Sequence, residues 1–185
     1  MLKKQLRLQF QQLSSSKTTA EIEKESEVIA KEAITLIKNS NFKVIGIYIS
    51  NPREVGTTAI INYCFQQNIL VACPRINEDF TMTFYQILNL ENEIEKHHKF
   101  SVNQPKKITE VPLSTIEVFF VPLVAFDNLN NRLGRGKGYY DRLLSSISDK
   151  VLKVGLGFSW QQSKNQLPIS VNDVRLDQII IPKLT

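Results

Sequence analysis

Val44-Ile45-Gly46-Ile47-Tyr48-Ile49 is an almost unbroken apolar run of strand length, stopped by Ser50-Asn51-Pro52. A strand with one face in water alternates apolar and polar residues, whereas a strand covered on both faces has no such need. The run therefore predicts a strand inside a parallel sheet with helices above and below. Outward from it the pattern repeats. Residues 69–73, ended by Pro74, and residues 118–122 read as two more buried strands, and 151–158 and 177–182 as two others. Residues 82–88 alternate in the manner of a half-buried strand.

Between these runs the period changes to that of a helix. Leu2, Leu6, Phe10 and Leu13 form an apolar stripe with Lys3, Lys4 and Arg7 off it. Thr18-x-x-Glu21 offers a capping box for a second helix, whose buried face is expected to be Ile22, Ile29, Ala33, Leu36 and Ile37. A third helix is read over 57–67 and a fourth from about Tyr139; the polar stretch 89–114 has no clear period. Strands alternating with helices predict an α/β fold of three layers, α/β/α, with a mainly parallel sheet flanked by helices. With 185 residues and no repeat, linker or low-complexity tract, residues 1–185 are expected to form one domain.

Composition narrows the chemistry. Cys64 and Cys73 have neither a disulfide pattern nor metal-ligand spacing and are expected as buried thiols. His97 and His98, the only histidines, are adjacent, which argues against a His-based zinc site or catalytic dyad. No apolar run approaches the length needed to span a bilayer, and no secretory leader is read at the start, so the expected address is the cytoplasm. A net charge of +5 suits anionic partners, but there is no long basic block or aromatic-basic ladder to favour nucleic acid.

The densest chemistry lies in Arg132-Leu133-Gly134-Arg135-Gly136-Lys137-Gly138-Tyr139-Tyr140-Asp141. Alternate glycines let backbone N–H groups approach an anion, three cations accompany them, and a helix begins just after. The stretch is neither a Walker A loop nor the dinucleotide-binding glycine pattern. Two readings stay open on this basis: a phosphate cradle, or a solvated basic turn between strand and helix.

Phe126-Asp127 followed by Asn131 through that decapeptide resembles the hallmark of the 5-formyltetrahydrofolate cyclo-ligases, also called methenyltetrahydrofolate synthetases. Lys3-Lys4-Gln5-Leu6-Arg7, Glu54-Val55-Gly56-Thr57, Val71-Ala72-Cys73-Pro74-Arg75, and Pro168 with Val174-Arg175-Leu176-Asp177 resemble further family segments in order. The resemblance implies a Rossmann-like, CoA-transferase-like fold. It also implies ATP- and Mg2+-dependent conversion of 5-formyltetrahydrofolate, in some cases polyglutamylated, to 5,10-methenyltetrahydrofolate. By the same resemblance Lys3, Lys4, Arg7 and residues 132–140 (Arg132, Leu133, Gly134, Arg135, Gly136, Lys137, Gly138, Tyr139, Tyr140) would bind ATP. Ile49, Glu54 and Arg135 to Tyr139 would bind the folate, Arg135 and Lys137 would be catalytic, and Asp141 and Asp177 would hold the metal. The partners implied are small molecules only, with no nucleic acid or membrane, for a monomer or weak dimer. Gly56 stands where the family commonly has an acid, and Phe100-Ser101-Val102-Asn103-Gln104-Pro105 only loosely follows its Phe-Gly-Ile-x-Glu-Pro segment. Two rivals remain: another ATP- or phosphosugar-using enzyme with a similar loop, and a non-catalytic RNA-associated module.

Overall fold

The computed structural model describes residues 2–100 and 102–182. The first half of the chain forms α1 (Lys3–Ser15), α2 (Thr19–Ser40), β1 (Val44–Ile47), α3 (Thr58–Gln66), β2 (Leu70–Ile76), β3 (Met82–Ile87) and β4 (Ile94–Lys96). The second half adds β5 (Asn103–Pro105), β6 (Thr109–Glu110), β7 (Val118–Pro122), β8 (Ala125–Phe126), β9 (Arg132–Leu133), α4 (Tyr139–Ser146), β10 (Leu152–Leu156) and β11 (Gln178–Ile180). One seven-stranded sheet has the order β11-β10-β7-β1-β2-β3-β6, while β4-β5 and β8-β9 pair separately. From β11 to β2 the pairing is parallel; β3 and β6 join antiparallel. The expected mainly parallel α/β sheet is therefore present.

Both faces are covered, as the apolar runs require. Ile45, Ile47, Val71, Val118, Phe120 and Val154 pack with Ile29, Ala33 and Ile37 of α2 and Ile60 and Ile61 of α3. Ala72, Phe119 and Val121 point to the other face and meet Leu143 and Leu144 of α4. Gly46 is small for a reason: a β-carbon there would stand 2.6 Å from the Phe119 ring. Cys64 and Cys73 are both buried, and burial pushes the Cys64 thiol up to about 12 and that of Cys73 higher still. They are core residues.

The capping box forms as read: Glu21 N–H donates to Thr18 Oγ1 at 3.2 Å and Thr18 N–H to Glu21 at 2.8 Å. Those hydrogen bonds, led by the Thr18 backbone N–H, hold the Glu21 carboxyl down at about 2. Two expectations need correction. In α1, Leu6 and Phe10 are buried, but Leu2 and Leu13 are exposed, so the stripe is two residues rather than four. Pro74 does not end β2, which continues to Ile76. Pairing with β1 stops at Ala72, so the missing Pro74 N–H faces no ladder while β3 continues on the other edge. Residues 89–114, left without a period, form the β4–β5 hairpin and β6.

The site follows from topology. From central β1 the chain moves one way to β2 and later crosses to β7 on the other side. The crevice at the carboxyl ends of such diverging strands is where open α/β sheets bind ligands.

Candidate active site

A cleft of about 660 Å3 occupies that crevice. Tyr48 and Ile49 beyond β1, Pro74 and Ile76 of β2, and Pro122 and Leu123 at the end of β7 line it, together with Gly134 to Asp141. The glycine loop enters from the β8–β9 hairpin, whose turn is organised by Asp127. This carboxylate, 1% exposed, accepts from the Leu129, Asn131 and Leu167 N–H groups and from Asn131 Nδ2, at 2.8 to 3.0 Å. Burial works to raise its pKa, but the hydrogen bonds from Asn131, Leu167 and Leu129 prevail and leave it below the ordinary carboxylate value. The Phe126-Asp127 part of the hallmark is thus structural support for the loop.

α1 packs Leu6 and Phe10 against Ala125, Leu133 and Leu167. That docking sets Arg7 on the loop, where its Nε donates to the Gly134 carbonyl at 2.7 Å. Gly136 and Gly138 take φ of +94° and +72°, which disfavour any side chain, and a β-carbon at Gly136 would lie 3.1 Å from the Arg7 guanidinium carbon. Lys3 also reaches the cleft, ion-paired with Asp173 and donating to Ser170 Oγ at 2.7 Å. Lys4 is exposed and does not line the cleft. Lys137 has no carboxylate partner among the described residues; its ammonium stands 6.0 Å from the Phe100 ring centre.

The other cations of the loop are already engaged. Arg132 is buried, bonded to Asp141 at 2.7 Å and set over the Tyr140 ring, so its guanidinium holds Asp141 in place. Arg135 reaches across the cleft mouth to Glu54 Oε1 at 2.7 Å, while Glu54 Oε2 accepts from Asn51 N–H at 2.8 Å. Glu54 and Ile49 thus face the glycine loop over one salt bridge. Burial, with the Glu54 charge second, pushes the Tyr48 and Tyr140 hydroxyls well above their ordinary range and keeps them neutral.

Of the two aspartates expected to hold the metal, Asp141 lines the cleft. Asp177 accepts from the Lys153 N–H at 2.7 Å near the start of β10 and is absent from the cleft lining, whereas Asp173 lines it. No group of three or more metal-ligating side chains occurs among the described residues. A Mg2+ that arrives with a nucleotide needs only one or two carboxylates plus phosphates and water, and Asp141 and Asp173 are donors of that hard-oxygen kind.

The sequence profile described as the 5-formyltetrahydrofolate cyclo-ligase family matches residues 1–182. The chain belongs to that family. The 5-formyltetrahydrofolate cyclo-ligase of Haemophilus influenzae is 32% identical over 183 residues, covering 97% of each chain. The 5,10-methenyltetrahydrofolate synthetase structure of Aquifex aeolicus superposes with a TM-score of 0.84 at 27% identity, covering 100% of this chain and 91% of the other. That of Mycoplasma pneumoniae gives 0.80 at 25%, covering 97% and 98%. Among cyclo-ligase family members, this chain is thus a ligase by sequence and an α/β protein by structure.

Two residues that line the cleft, and one just outside it, escaped the sequence reading. Asp173 lies next to Asn172 in a turn and carries no periodic signal. Arg53, with φ of +71°, donates to the Ser14 and Lys17 carbonyls and so ties the Glu54 loop to the end of α1. Arg142 follows the hallmark by one residue. Trp160 stacks on Phe158 at 4.2 Å and packs against the core.

Proposed function

We propose that this chain converts 5-formyltetrahydrofolate to 5,10-methenyltetrahydrofolate with ATP, releasing ADP and phosphate. The observation that carries the reading is the meeting of the cationic glycine loop with Glu54 across one cleft. Backbone N–H groups of Gly136 and Gly138, with Lys3, Arg7 and Lys137, suit the triphosphate. Glu54 is able to accept from the amino group and ring N–H of a pterin, with Ile49 against its face.

Two stages follow. The formyl oxygen attacks the γ-phosphorus, and the bond from that phosphorus to the β–γ bridging oxygen breaks. N10 then attacks the formyl carbon, the carbon–oxygen bond breaks, phosphate departs and N10 gives up its proton. Lys137 and Arg135 neutralise charge on the transferred group and hold the reactants in line, which is most of what phosphoryl transfer asks of a protein. Asp141 and Asp173 would hold a Mg2+ that arrives with the nucleotide, and the ion would supply further charge neutralisation. Because N10 belongs to the substrate, no side-chain nucleophile is required.

Arg135 must release Glu54 before it can serve phosphate, so substrate entry exchanges one ion pair for two ligand contacts. We place the reaction in the cytoplasm, in a monomer or weak dimer; among the described residues no helix is long and apolar enough to cross a membrane. The test is the near-UV absorbance of the methenyl product. It is expected to rise only when protein, ATP and Mg2+ are all present, and absence of product with nucleotide still bound would refute the substrate assignment.

A further inference from the structure

We infer that Arg142 is a positioning residue that fastens the glycine loop to the tip of the β2–β3 hairpin. The tip is unusual. Phe80 is half exposed with φ of +66°, a conformation that costs a bulky side chain and that Gly or Asn would take more easily. Its neighbours explain its place. The Phe80 ring lies 6.1 Å from that of Tyr139, and the Arg142 guanidinium sits 5.7 Å from each ring. The same guanidinium donates from Nε to the Phe80 carbonyl at 3.0 Å and from Nη2 to the Lys137 carbonyl at 2.7 Å.

Gly138 completes the joint. A β-carbon there would stand 2.9 Å from Arg142 Nη1, in addition to the strain of its positive φ. Asp79, on the same tip, feels the Arg142 charge; hydrogen bonds from Thr81 first, and that charge after them, hold its carboxyl below the usual range. Pinning the Lys137 carbonyl fixes the peptide plane between Lys137 and Gly138, and with it the side of the plane on which the Gly138 N–H is offered. A planar fork reaches two carbonyls while its charge lies over two rings, and a lysine ammonium cannot match both directions. Arg142 thus sets, from outside the cleft, the geometry of the loop within it.

This inference rests on the proposed role of the glycine loop in nucleotide binding, so the experiment reads the loop both with and without nucleotide. Amide hydrogen exchange of residues 136–138 is measured in ligand-free wild-type, Arg142→Ala and Arg142→Lys proteins, alongside KM for ATP and for 5-formyltetrahydrofolate. Arg142→Ala is expected to speed exchange in the loop and raise the ATP KM about tenfold, the worth of one charge-assisted hydrogen bond. The folate KM should rise less than the ATP KM, since the joint meets the Glu54 wall only at the hairpin tip between Ile76 and Met82 and leaves Glu54 and Ile49 untouched. Arg142→Lys should restore less than half of the loss. Adding Phe80→Ala to Arg142→Ala should cost nothing further, because both remove one joint. Unchanged loop exchange, or an equal rise in both KM values with a lowered Tm, would overturn the inference. Faster exchange with the ATP KM unchanged in both Arg142→Ala and Lys137→Ala would instead support the joint and refute the nucleotide role of the loop.

Discussion

The wall of the cleft that carries the glycine loop is cationic and tied down at its main chain. Arg7 holds Gly134, Arg142 holds Lys137, and Asp127 holds the hairpin from which the loop emerges. The facing wall is built from Ile49, Pro74, Ile76 and Met82, with Glu54 as its carboxylate. The difference matches two kinds of recognition. Phosphate is caught by N–H groups and charges whose directions must be correct, which demands a fixed backbone. A flat ring is caught by apolar surface and one hydrogen-bonding group, which demands shape more than direction.

Mutations on the two walls should therefore fail differently. Lys137→Ala is expected to lower kcat by about 10^2 to 10^3-fold, as for loss of one group stabilising transferred charge, with Tm unchanged. Near-normal turnover in a steady-state assay would remove Lys137 from that role. Glu54→Gln should raise the folate KM by about tenfold or more while the ATP KM moves less, since a carboxylate acceptor is lost only for the ring. An equal rise for both ligands would show that the two walls are not separable.

Behind the loop, Asp127→Asn should cost about 2 kcal/mol, read by urea denaturation, because the buried N–H groups lose a charged acceptor. The sign of its pH dependence is set by a folded pKa below the unfolded value. The stabilisation is complete above the unfolded value near 4 and disappears as the pH falls through the folded one. The stability gap between wild type and variant should therefore close in acid; a gap that widens there would contradict the assignment. The smallest effect is expected at the aspartates. Asp173→Asn should raise the Mg2+ concentration for half-maximal rate several-fold, since Mg2+ commonly keeps only one or two carboxylates. Asp177→Asn should leave it unchanged.

What could be read from sequence divides along the same line. Apolar runs such as 44–49 and 118–122 identify buried parallel strands because they are short, rich in β-branched and aromatic residues and bounded by turn residues, and the fold follows. The glycine loop is legible because its chemistry is local: donors, cations and conformational freedom lie within ten residues. Leu2, Leu13 and Pro74 misled because their surroundings are set by tertiary neighbours, a short docking surface in one case and a one-sided strand edge in the other. The contacts that close the cleft, Arg135 to Glu54, Lys3 to Asp173 and Arg142 to Phe80, join residues far apart in the chain and have no periodic trace. Asp173 and Asp177 lie four residues apart in the chain, and only the fold brings Asp173 rather than Asp177 to the cleft lining.

The most direct test of the two-wall account is amide hydrogen exchange of the wild-type protein with each ligand alone. ATP with Mg2+ should protect residues 134–138 and leave 49–54 little changed, while 5-formyltetrahydrofolate should protect 49–54. ATP protecting a different surface, or both ligands protecting only one wall, would contradict it.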